Sequence, residues 1–175
     1  MRKTGLPGGL AFILAFAFWA VIAGCGYRFA GTGELTGGAG TVFISVFKNK
    51  SALLGIESNF TDSLIREFTR RRPDSLAEKN GADAFFSGVI ESVSTDTVSH
   101  RDEYASVERQ VRVTVSGRLV SRDGRTLWAV DRISESEDYL VAAEKSVTDQ
   151  HLRRAVEKLS EELAQRMYNQ MTAGF

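Results

Sequence analysis

Between Val107 and Arg118 the side chains alternate: Val107, Arg109, Val111, Val113 and Val115 fall on one side, and Glu108, Gln110, Arg112, Thr114, Ser116 and Arg118 on the other. A period of two marks a β-strand, whose successive side chains leave opposite faces. One face is apolar and the other wet, which specifies an antiparallel sheet covered on one side only. Arg109 interrupts the apolar set and is expected near the end of that face. The strand, read as Ser106 to Ser121, is joined to a second, Arg125 to Ser134, by a turn whose Asp123-Gly124 pair is a hairpin signal. A further strand-like run, Ala84 to Ser99, comes before them. The charged stretch His100 to Tyr104 reads as the loop between.

The remaining elements follow from the other period. Ile56, Phe60, Leu64, Ile65 and Phe68 recur at helical spacing between Gly55 and Arg72, and Pro73 ends the helix because its ring disfavours a helical residue before it. Arg70-Arg71-Arg72 complements the C-terminal dipole of that helix, a simpler reading than an anion-binding patch. From about Ala142 to Met171, Leu152, Val156, Leu159, Leu163, Met167 and Met171 form one stripe on a long second helix. Thr41 to Phe47 (TVFISVF) is almost continuously apolar and reads as a strand covered on both faces. The order strand, helix, three strands, helix predicts an α+β fold, a two-layer sandwich of two helices packed on one face of a four-stranded, mostly antiparallel sheet.

The beginning of the chain has another job. Arg2 and Lys3 precede an uncharged run from Leu10 to Ala23, and the run ends at Ile22-Ala23-Gly24-Cys25. A spanning helix needs about 20 apolar residues, so fourteen fit a signal peptide better than an anchor helix. An aliphatic residue, two small residues and a cysteine resemble the bacterial lipobox, in which the thiol accepts diacylglycerol. Residues 1–24 are therefore expected to be a lipoprotein signal peptide and Cys25 the lipid-attachment residue. Two or three acyl chains, at about 0.8 kcal/mol per buried methylene, make such an attachment effectively permanent. Gly26 follows the cysteine where aspartate would mark inner-membrane retention, which favours the outer membrane. Six glycines among residues 26–40 suggest a tether, so the expected organisation is signal 1–24, acylated terminus and tether 25–40, and one α+β domain 41–175.

Little chemistry is visible. Cys25 is the only cysteine, so acylation leaves no thiol for a disulfide or for nucleophilic attack. Removing Arg2 and Lys3 from 22 basic and 22 acidic residues leaves 20 against 22, which argues against a nucleic-acid binder. His100 and His151 are far apart and neither has a metal-ligand neighbour at suitable spacing; no P-loop or nucleophile elbow appears. The glycines of GTGELTGG have no strand before them and a strand, not a helix, after them, so they form no dinucleotide loop. Paired carboxylates such as Glu161-Glu162 or Glu135 with Glu137 fit a solvated face. No enzyme, cofactor or metal is expected.

The order of these elements resembles the LptE-like lipopolysaccharide-assembly lipoproteins. The residues that carry the resemblance are Cys25-Gly26-Tyr27-Arg28-Phe29, the strand TVFISVF running into Lys48-Asn49-Lys50-Ser51, and Gly55-Ile56-Glu57 with Phe60 to Phe68. Ala82-Asp83-Ala84 before a strand containing Gly88-Val89-Ile90, and the closing helix, fit the same template. One departure is Leu35-Thr36-Gly37, where the family often has a Leu-Pro pair. The resemblance implies a non-enzymatic outer-membrane protein that sits within a large LptD-like β-barrel, helps it assemble and engages lipopolysaccharide. Arg112, Arg118 and Arg132 are the candidate contacts for phosphorylated lipid heads, since arginine forks match phosphate. A competing reading is an envelope lipoprotein that docks on a different secretion or cell-wall complex.

Overall fold

The computed structural model describes residues 35–98 and 108–173. Along the chain run β1 (Val42–Ile44), β2 (Lys48–Asn49), α1 (Glu57–Arg71), a 3-10 turn (Pro73–Ser75), β3 (Ala84–Val98), β4 (Glu108–Ser121), β5 (Thr126–Leu140) and α2 (Lys145–Thr172). The sheet has the order β1-β3-β4-β5, and β2 follows β1 along the same edge of β3. Strands β1 and β2 run parallel to β3, and the two long pairings β3–β4 and β4–β5 are antiparallel. This is the α+β architecture that the two periods specify, with both helices on the apolar face.

The alternation in β4 becomes burial. Val111, Val113, Val115 and Leu119 are completely enclosed, facing Phe60, Leu64 and Phe68 of α1 and Leu159, Leu163, Met167 and Met171 of α2. The helices run parallel to each other. Ser63 meets Ser160 through a buried hydroxyl pair 2.9 Å apart, and Arg71 donates to Asn169 Oδ1 at 2.9 Å further along. Small side chains at the first contact bring the axes together, and each hydroxyl satisfies the other in a place where an unpaired one would be costly.

Three local differences from the sequence reading have physical causes. The first strand is broken: after Ile44 the chain bulges, Val46 turns out to solvent at 66% exposure, and pairing resumes only at Lys48. The break lets Phe47 turn inward. Its N–H is taken by the buried Thr61 hydroxyl at 3.1 Å, and its ring lies 5.9 Å from Phe60 and 5.7 Å from Phe86. That ring occupies the place where a side chain at Gly88 would stand, since a Cβ there would lie 2.2 Å from the nearest ring carbon.

Strand β5 is longer than Arg125 to Ser134 and continues to Leu140. Glu135 and Glu137 stand opposite Val113 and Val111, on the helix side of the sheet, and are neutralised by Arg166 and by Lys158 of α2. They are strand residues facing a helix, with their partners 31 and 21 positions downstream.

Finally, residues 35–40 pack into the domain. Leu35 is 1% exposed, and Thr36 N–H and Oγ1 both donate to the carbonyl of Met171. A proline at 36 would lack the first of these donors, which fits the departure from the Leu-Pro pattern. Residues 35–40, expected as the end of the tether, are thus in contact with the domain. The expected signal peptide 1–24, Cys25, residues 26–34 of the expected tether and the stretch His100 to Tyr104, expected as a loop, lie outside the described residues.

Candidate functional site

The polar face of the sheet is built by the other half of the same alternation. Arg118 stands between Ser87 and Ala129, and Arg112 between Ser94 and Ser136, in cross-strand rows. Between them lies a row of short hydroxyls, Ser92, Thr114 and Ser134, with Thr114 and Ser134 hydrogen-bonded at 2.9 Å. The long cations thus rise from a floor of small polar groups. Beside Arg118, a depression of about 280 Å³ is lined by Ser87, Val89, Ser116, Gly117, Ala129 and Asp131.

Arg132 sits at an irregularity in the β4–β5 ladder, where Val115 pairs with Ile133 and Gly117 already with Val130. It is exposed and lies within electrostatic reach of Glu91. All three arginines are exposed. Arg112 and Arg118 are six residues apart on one strand, or about 20 Å at the usual strand rise. The structure therefore lines the three along the face and does not gather them into one cluster. Arg109 lies on the opposite side, across from Tyr139 and Thr97, at the end of the apolar face as the alternation predicts.

One group on this face has no local signal in the sequence. Glu91 accepts from Lys50 Nζ at 2.7 Å and from Ser116 Oγ at 2.7 Å, joining β4, β3 and the turn after β2. The Lys50 hydrogen bond, then that of Ser116, hold its carboxyl below the ordinary 4.5, helped by the positive charges of Lys50 and Arg132. A depressed carboxylate contributes stability that is complete above the ordinary value and is lost as pH falls through the lowered one. Glu91→Gln is therefore expected to remove part of the acid dependence of unfolding below about pH 4.5. Urea midpoints of both proteins measured across that range provide the check; superimposable acid limbs would mean the network adds nothing.

Elsewhere the charges are engaged in structure. Arg71 is held by Glu67 at 2.9 Å and lies 5.0 Å from the centre of the Tyr168 ring, and Arg70 also pairs with Glu67. The run of three arginines thus contains side chains bound to their own helix and to α2. His151 Nδ1 meets the Leu140 carbonyl at 2.8 Å, tying the second turn of α2 to the end of β5. Among the described residues no group of His, Cys, Asp or Glu is placed to hold a metal ion.

The model of the LptE lipopolysaccharide-assembly family matches residues 39–171, from the turn before β1 to the last turn of α2. The chain belongs to the LptE family. Solved structures share the fold of this LptE-family chain at low identity. A minor lipoprotein from Acinetobacter baumannii is 14% identical with a TM-score of 0.51, covering 77% of this chain and 92% of that one. An uncharacterised lipoprotein B from Nitrosomonas europaea is 16% identical at 0.51, covering 77% and 83%. Rare lipoprotein B from Shewanella oneidensis is 14% identical at 0.50, covering 71% and 92%. No curated protein matches the chain in sequence. The LptE match encloses every element that forms the polar face, so this face is part of the family's common domain.

Proposed function

We propose that this LptE-family protein is a lipoprotein of the outer membrane, acylated at Cys25, that plugs a large LptD-like β-barrel, helps it assemble and assists delivery of lipopolysaccharide to the outer leaflet. It does so by binding, without catalysing a reaction. The observation that carries the reading is the family match across the whole α+β domain. The polar face supports it physically, because a barrel lumen is polar and phosphate groups suit arginine donors.

Two measurements test it. Extraction of the full chain in mild detergent is expected to bring down a much larger β-barrel; recovery of a lone lipoprotein under several mild conditions would overturn the reading. In that complex, replacing Arg112, Arg118 and Arg132 together by glutamine is expected to lower bound lipopolysaccharide roughly tenfold, since charged hydrogen bonds contribute about 1.5–3 kcal/mol each before their exposure is discounted. Unchanged lipopolysaccharide in the triple variant would remove these arginines from the site. If depletion leaves surface lipopolysaccharide and barrel maturation intact, the protein belongs to another envelope complex.

A further inference from the structure

The outer edge of β3 changes character half-way along. From Ala84 to Ile90 it is paired with β1 and β2. Beyond Ile90 no described strand accompanies it, although β3 continues to Val98. The reason lies in Asn49. Its side chain accepts from Ser51 N at 2.8 Å and from Ser51 Oγ at 2.7 Å, and donates to the Leu53 carbonyl at 2.8 Å. That local turn diverts the chain after Lys50, whose N–H makes the last bond to the edge, at the Ile90 carbonyl. A slot of six residues, Ser92 to Thr97, remains in line with β2, about 20 Å long at the usual rise.

The backbone groups in the slot face outward. In a strand of L-residues the side chain's face fixes the edge to which the same residue's N–H and C=O point. The helix-facing residues Phe86 and Ile90 turn their carbonyls to Ser45 and Lys50. Val93, Thr95 and Thr97 share that face, standing opposite Val113, Val111 and Arg109, so theirs point into the slot. Native sheets usually blunt such an edge with lysine, proline or inward-facing charge. Strand β5, the other edge, carries Glu135 and Glu137 on its helix side. The slot carries only Ser, Thr, Val and one aspartate.

We propose that the Ser92–Thr97 edge of β3 receives an added strand from the barrel partner, an extended segment with a lysine or arginine opposite Asp96 on the polar face and an apolar residue beside Val93 on the helix face. Charge selects this occupant. Asp96 is exposed and forms no ion pair among the described residues, and the row it shares is Asp96, Gln110 and Asp138, in which Gln110 already donates to Asp138 at 2.9 Å. An incoming cation completes that row, and main-chain hydrogen bonds supply the remaining contact, as in other strand-addition complexes. The inference rests on the barrel reading above.

The test is amide hydrogen exchange on the full chain in detergent, alone and in complex with the copurified barrel. Exchange at Val93, Thr95 and Thr97 is expected to slow at least tenfold in the complex. Thr95→Pro, which deletes one outward N–H, and Asp96→Lys, at an exposed position, are expected to lower barrel recovery several-fold with unchanged circular dichroism, whereas Thr95→Val retains it. A complex that forms while these amides exchange as fast as in the lone chain overturns the added strand and leaves the barrel reading standing. Absence of any barrel overturns both. Protection that grows with concentration in the lone chain assigns the edge to a second copy and overturns the proposal too.

Discussion

Truncating Phe47 to alanine is expected to cost the domain about 3–5 kcal/mol, the range for deleting a buried aromatic side chain. The ring is 2% exposed and touches α1 through Phe60 and the sheet through Phe86, so its loss opens a cavity where both layers meet. At roughly 2–4 °C per kcal/mol for a domain of this size, the melting temperature should fall by about 6–20 °C. Gly88→Ala attacks the same contact from the other side. Its new Cβ would overlap three ring carbons of Phe47, and overpacking of this kind costs about 1–3 kcal/mol. The two changes are not independent. With Phe47 already alanine, the methyl at 88 has space, so the double variant should be more stable than the sum of the single losses implies. Chemical unfolding of the four proteins measures the coupling; additive losses would show that the ring and the glycine do not constrain each other.

The second large effect concerns the membrane. Cys25→Ala is expected to abolish incorporation of labelled fatty acid and to leave the signal uncleaved, because the only thiol in the chain is removed. Continued labelling would refute the lipobox. Since two or three acyl chains hold a protein effectively permanently, the change is expected to be all or none: the domain folds, and the proposed lipid hold on the outer membrane is lost.

How far the fold could be read in advance depended on whether a residue's environment was set locally. Strand β4 was legible because its two faces meet different solvents throughout, so Val111, Val113 and Val115 alternate with polar residues without exception. The stripes of α1 and α2 were legible for the same reason. The far half of β5 was not. Ser134-Glu135-Ser136-Glu137-Asp138 has the composition of a loop, and only Arg166 and Lys158, 31 and 21 residues from their partners, make two carboxylates acceptable beneath a helix. The interruption of the first strand was hidden likewise, since TVFISVF carries no break and the turn of Phe47 inward depends on Thr61 and on the missing side chain of Gly88.

The candidate site shows the same division. Alternation put Arg112 and Arg118 on the polar face, and the structure keeps them there, exposed and in separate rows. The Lys50–Glu91–Ser116 network could not be foreseen, because its members are 41 and 25 positions apart and meet only through sheet register. Register likewise determines the slot beside Ser92–Thr97. It arises where one strand outlasts its neighbour, and neither segment announces its length.

The hold of Thr36 on Met171 has a mechanical meaning. Under the proposed acylation at Cys25, a pull from the bilayer meets, first among the described residues, Leu35 and with it the last turn of α2, where the two ends of the fold are fastened together. The load therefore arrives at one corner, with β1 next in line and the three long strands behind it. Tugging should peel Leu35 from its pocket before it shears any ladder of β3, β4 and β5, so the handle can give way slightly while the working face keeps its shape.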